Sequence, residues 1–149
     1  MEELAELRML LVKQCYPEAL LLLGEMEEMA RDDKANKVES FVQLILLHLI
    51  IQQAEKRNTR SWDISIFNSR RNIERVNKRR KAGGNYLSPE EILELIEEGY
   101  PDALNYAALE TLEGQHSPRQ LAALVDAATV KAEAFRLITT PISNADLNG

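Results

Sequence analysis

The side chains with chemistry to offer are few and far apart. The chain holds two histidines, His48 and His116, one cysteine, Cys15, one tryptophan, Trp62, and a basic cluster of Arg70, Arg71, Arg75, Lys78, Arg79 and Arg80. His48 stands inside the apolar run Phe41 to Ile51, FVQLILLHLII. On a helix its neighbours are Leu44, Ile45, Ile51 and Gln52, so no second ligand-type side chain sits one turn away. The favoured reading is a neutral imidazole hydrogen-bonded inside the core, its pKa pushed down by burial. Ser61 and Trp62 lie just beyond the following turn, where they can pack on it. A general base or metal ligand, and a buried protonation switch, are the alternatives. His116, in the polar turn Gly114–Ser117, reads as solvated, and two unrelated histidines do not make a zinc site. Cys15 falls where one helix ends and the next begins. That N-terminus could lower its pKa, but no histidine pairs with it in sequence, and a buried inert thiol is favoured. Glu25, Glu28 and Asp32 share a helix face without the Glu-x-x-His pairs of a di-iron bundle. They read as a solvated face or as a partner for the basic helix. Phosphate loops, dinucleotide fingerprints, nucleophile elbows and His-Glu-x-x-His are all missing. The chain therefore offers no catalytic residue set, no metal site and no cofactor motif.

The basic cluster is the strongest lead. Residues 56–81 carry ten Lys and Arg against two acids, a net +8, while the rest of the chain carries −14, giving −6 in all. Residues 82–114 hold eight acids and no base. The arginines can be spent on Glu90, Glu91, Glu94, Glu97 and Glu98, as surface pairs worth about 0–1 kcal/mol each. They can instead stand free for a nucleic acid, with steep salt dependence, or for an acidic protein. Interleaved aromatics for stacking on single strands are lacking, and so is helix-turn-helix spacing.

Those side chains must be held by helices. Leu4, Leu7, Leu10 and Leu11 recur at helical spacing over residues 2–14. Pro17 opens a second helix, to about Arg31, because a first-turn proline gives up no hydrogen bond. Asp32 and Asp33 cap a third, spanning about residues 34–56. Ser61 caps a fourth, the basic helix of residues 61–81, with Trp62, Ile66, Ile73 and Val76 on one face and Gly83-Gly84 as its stop. Ser88-Pro89-Glu90-Glu91 is a capping box with proline at the first position. The helix it opens ends at Gly99, a sixth runs from Pro101 to near Gly114, and Ser117-Pro118 opens a seventh that Pro141 halts. Cys15-Tyr16-Pro17-Glu18-Ala19-Leu20 echoes Gly99-Tyr100-Pro101-Asp102-Ala103-Leu104, which predicts two similar helix starts.

The expected architecture is all-α: about six or seven helices around the central apolar helix, as one domain over residues 1–141 with a flexible tail at 142–149. With 45% apolar and 28% charged residues, the 149-residue chain suits a single buried core. The expected core is Leu7, Leu11, Leu20, Leu23, Phe41, Ile45, Leu49, Trp62, Ile66, Ile73, Ile92, Ile96, Leu104, Leu121, Leu124 and Phe135. Cutting Leu49 to alanine is expected to cost roughly 2–5 kcal/mol. A lone cysteine, an acidic start at Glu2-Glu3 and an apolar run too short for a bilayer indicate a cytoplasmic protein without a membrane partner.

Several of these stretches together resemble a known family. Glu25-Met26-Glu27-Glu28-Met29, Leu46-Leu47-His48-Leu49, Ser61-Trp62 with Ile66 and Arg70-Arg71, and Tyr106-Ala107-Ala108-Leu109-Glu110-Thr111 follow the pattern of the bacterial domain of unknown function family 29. The similarity covers roughly residues 22–113. It departs at Ile50-Ile51, where the family has a lysine, and at Gly83 to Pro89. The resemblance implies a mostly helical fold and no established reaction. The function expected is a non-enzymatic module for protein–protein contact or self-association, the C-terminal helix offering the spare apolar face. Nucleic-acid binding through residues 61–81 is the alternative, and a hydrolase or nuclease built on His48 comes third.

Overall fold

The computed structural model describes residues 2–79 and 83–143. Arg80, Lys81 and the tail from residue 144 onward lie outside the described residues. Six α-helices make up the described chain: α1 Glu2–Val12, α2 Tyr16–Glu55, α3 Arg60–Asn77, α4 Pro89–Glu110, α5 Pro118–Ala122 and α6 Ala127–Thr139. The protein is all-α, as the patterning requires. By backbone contact it divides into two units, Met1–Ala35 and Asn36–Gly149.

The first unit is a helical hairpin. Gln14 takes a left-handed φ of 60°, Cys15 N–H donates to Leu10 C=O and Gln14 N–H to Leu11 C=O, which is how a helix C-terminus is closed by a Schellman motif. Ala19 N–H then donates to Cys15 C=O, and α2 is under way with Pro17 in its first turn. No break follows at Asp32-Asp33. The expected capping requires the chain to leave helical angles, and nothing between Arg31 and Val38 is a helix breaker. Glu27 and Arg31, and Asp33 and Lys37, stand four apart, a spacing that supports helix by a few tenths of a kcal/mol.

The second unit carries the core. Val38, Val42, Ile45, Leu46 and Ile50 of α2 are fully enclosed, one wide face rather than the whole circumference, since Leu44 is exposed and Phe41, Leu47 and Leu49 are half-buried. Truncating Ile50 therefore costs more than truncating Leu49. Lys56, at a left-handed φ of 53°, ends α2, and Arg57 N–H donates to Gln52 C=O. The cap of α3 is Thr59, not Ser61: its hydroxyl accepts from Trp62 N–H at 3.1 Å. Ser61 already lies inside α3, whose first residue is Arg60, while Asn58 ahead of the cap receives from Gln52 Nε2 and donates to the Asp63 carboxylate at 2.8 Å. Helix α3 buries Ile66, Ser69, Ile73 and Asn77, a stripe at helical spacing. Its end is pinned by the Asn77 side chain, which accepts from Leu87 N–H at 2.8 Å and donates to Leu87 C=O at 3.4 Å.

Ser88 and Glu91 form the expected capping box. The helix it opens does not stop at Gly99, however: α4 runs through Pro101 to Glu110. Gly99 is used for approach rather than termination. A Cβ there would lie 3.3 Å from Gln43 Cγ of α2. After α4, Leu112, Glu113 and Gly114 form a left-handed turn, with φ of 51°, 61° and 71°. The expected seventh helix is two. Ser117 and Gln120 make a second capping box for α5, and α6 restarts after Asp126, whose N–H donates to Gln53 Oε1 of α2. Helix α6 packs on α4 and α3 and buries Val130 and Ala134.

Of the expected core, Ile45, Ile66, Ile73, Ile92, Ile96 and Leu121 are buried. Leu11, Leu20, Leu23 and Leu124 are exposed, at 49%, 68%, 40% and 48%; the first three belong to a hairpin that has no core of its own.

Candidate interaction surfaces

Three features could meet a partner: the basic face of α3, the His48 region and the apolar hairpin. On α3, burying Ile66, Ser69, Ile73 and Asn77 turns Arg71 and Arg75 outward, and both are exposed, as are Lys78 and Arg79 just beyond the helix. Arg70 is half-buried and turns back onto the fold. Its Nε donates to Leu137 C=O at 2.8 Å and its Nη2 to Thr140 C=O at 3.3 Å, so it caps the C-terminal carbonyls of α6, where positive charge also suits the helix dipole. Arg79 stacks its guanidinium 5.7 Å from the centre of the Tyr86 ring. Glu97, one of the acids open to pairing with α3, meets Lys131 of α6 at 2.8 Å. That ammonium also lies 4.9 Å from the Tyr100 ring, and Tyr100 is buried, its phenol pKa raised by burial and by Asp126. Glu133 receives the Arg136 guanidinium at 2.6 Å. That hydrogen bond leads the lowering of its carboxyl pKa, to which Arg70 adds.

His48 is half-buried. Burial holds its pKa below the usual imidazole value, with Glu110 at the end of α4 pulling the other way. Its Nδ1 has no hydrogen-bond partner, and the same holds for Thr111 Oγ1 and His116 Nδ1; His116 is half-buried rather than solvated. Trp62 is half-buried with the Arg57 guanidinium 4.8 Å over its ring. Among the described residues no three His, Cys, Asp or Glu side chains converge as a metal site would require.

The hairpin is the feature the sequence reading misplaced. Leu7, Leu11, Tyr16, Ala19, Leu20 and Leu23 line an apolar groove of about 240 Å³. Helix α1 has no buried residue, and Ala19 alone is buried among residues 2–35. Leu20 and Leu21 are 68% and 73% exposed. The apolar residues do lie on these helices, but Leu11, Leu20 and Leu23, expected in the core, are exposed. The readable signal was a surplus: leucines at 20, 21, 22 and 23 cover more than one helix face, and a two-helix hairpin cannot enclose them all. The spare apolar face belongs here and not to the C-terminal helix, since α6 spends its stripe on α3 and α4. Among the described residues, no helix is long and apolar enough to cross a membrane.

Compared with known proteins, residues 11–130 match the family described as Domain of unknown function DUF29. No curated protein and no solved structure matches the chain.

Proposed function

The chain belongs to the DUF29 family, whose description names no activity, and from the groove geometry we propose that it is a helical module whose N-terminal hairpin docks onto another polypeptide. The observation that carries this is the groove between α1 and α2, lined by Leu7, Leu11, Tyr16, Ala19, Leu20 and Leu23 without a charged side chain. Apolar surface of this kind rewards a helix laid along it, by about 25 cal/mol for each Å² removed from water. To test it, a benzoylphenylalanine photocrosslinker is placed at Leu20, and at Asn105 on the exposed side of α4 as control. In cells, Leu20 should give discrete adducts with a polypeptide and Asn105 should not. Equal or absent labelling at both positions overturns the reading.

A second reading rests on the exposed Arg71, Arg75, Lys78 and Arg79, which present cations in a row suited to phosphates. Binding of this kind weakens steeply with salt. Retention of duplex or single-stranded probes at low salt, lost in an Arg71→Ala/Arg75→Ala variant, supports it; no retention disposes of it.

A further inference from the structure

Resting on that docking reading, we propose that the occupant of the hairpin groove is a second copy of this chain, in an antiparallel two-fold pairing of hairpins that closes a four-helix bundle. Three observations point there.

The first is area. Nine large apolar side chains of residues 2–35 are exposed, from 40% at Leu23 to 78% at Val12. At about 200 Å² for a fully exposed large side chain, they leave roughly 1,000 Å² in water. A stable interface needs about 800 Å² from each partner. These side chains spread over both helices, so a seam along one helix cannot cover them, whereas pairing whole hairpins can.

The second is self-complementarity of shape. The groove lies between α1 and α2, and Leu20, one of its walls, projects at 68% exposure. A two-fold axis makes each hairpin the ridge that enters the other's groove, the isologous arrangement of a homodimer. Four-helix bundles are built from such hairpins.

The third is charge. The open end of the hairpin carries Glu2, Glu3 and Glu6 on α1 and Glu25, Glu27 and Glu28 on α2. The turn end carries Arg8 and Lys13 against Glu18. Antiparallel pairing sets the positive turn of one hairpin beside the acidic open end of the other, and a parallel pairing sets six acids against six.

Sedimentation velocity of the full chain, from about 1 to about 200 µM, tests the inference at concentrations where homodimers of this size associate. The parent should shift from monomer to dimer across that range. Leu20→Asp, at a site open enough to leave the fold intact, should stay monomeric with an unchanged helical circular-dichroism spectrum. Lys13→Glu should weaken association at least tenfold at low salt, and by much less near 1 M salt, where charges are screened. A parent that stays monomeric throughout, or a dimer that survives both substitutions, overturns the second-copy assignment. A monomeric parent that still forms Leu20 adducts with a different protein removes the homodimer and keeps the docking reading. A monomeric parent without adducts removes both.

Discussion

Two residues in the second unit show how far a side chain's type can mislead about its work. Arg70 and Arg71 are adjacent and identical in chemistry, yet 100° of helix rotation sends one to the carbonyls of Leu137 and Thr140 and the other to solvent. Hydrogen bonds from a charged donor are worth about 1.5–3 kcal/mol, and exposed substitutions stay within about 0.5 kcal/mol. Arg70→Ala should therefore lower the unfolding free energy read from denaturant melts by an amount in the first range, with Arg71→Ala close to the parent; equal effects would remove Arg70's capping role. His48 makes a second residue-scale prediction. Burial depresses its folded pKa, so the unfolded chain binds more protons in the window just below the free imidazole value of about 6.5. Its contribution to stability is whole above that value and is lost as pH falls toward the folded pKa. The unfolding free energy of the parent, read from denaturant melts, should fall between about pH 7.5 and about pH 5.5, by no more than about 1.4 kcal/mol per pH unit, and His48→Gln should flatten that slope. The Glu133 carboxyl, held low chiefly by Arg136, adds its loss only in a separate, more acid window. An unchanged slope in His48→Gln would assign the pH dependence elsewhere.

Among the elements, the helical glycines separate what a sequence can reveal from what only packing decides. Gly24 lies within α2, and a Cβ there would meet nothing within 4 Å. Gly99 lies within α4, with the Gln43 side chain 3.3 Å from the position of its missing Cβ. Gly24→Ala should stabilise the protein by about 0.5–1 kcal/mol, the usual cost of a glycine in a helix interior. Gly99→Val adds three carbons where the first is already crowded and should destabilise by about 1–3 kcal/mol. Melts showing the same sign for both would mean that α4 does not approach α2 as described. The Gly99 case also explains why helix count was less legible than helix content. The capping box at Ser88 and the Ser-Pro helix start at Ser117 are local chemistry and were readable. Termination is not local: Tyr-Pro begins a helix at Tyr16, where Gln14 has already turned left-handed, and fails to break one at Tyr100, where burial of Gly99 and Tyr100 against their neighbours holds α4 straight through Pro101. In the same way Asp32-Asp33 has the composition of a cap but sits in an unbroken helix.

At the scale of the whole molecule, burial is distributed very unevenly, and that unevenness makes the last prediction. The apolar period located the stripes, and the all-α class followed from it. Which stripes meet a partner depends on how many helices are near enough to cover them. The stripe of Val38, Val42, Ile45, Leu46 and Ile50 is covered within the second unit. Those of α1 and of the first turns of α2 are not, and periodicity alone could not tell the two apart. An isolated helix of about a dozen residues is marginal in water, and α1 has 11 residues with none buried. Contact with α2 leaves its residues at most half-buried, and if a second copy covers them, the order of α1 depends on concentration by mass action. Hydrogen exchange read by mass spectrometry at two protein concentrations about a hundredfold apart should show α1 and residues 16–30 exchanging several-fold more slowly in the concentrated sample. Residues 38–51, enclosed within their own unit, should exchange at one rate in both. Equal protection of α1 at the two concentrations would mean that the hairpin stands without a second copy; slowing in both segments together would mean that association protects the whole chain and not the hairpin.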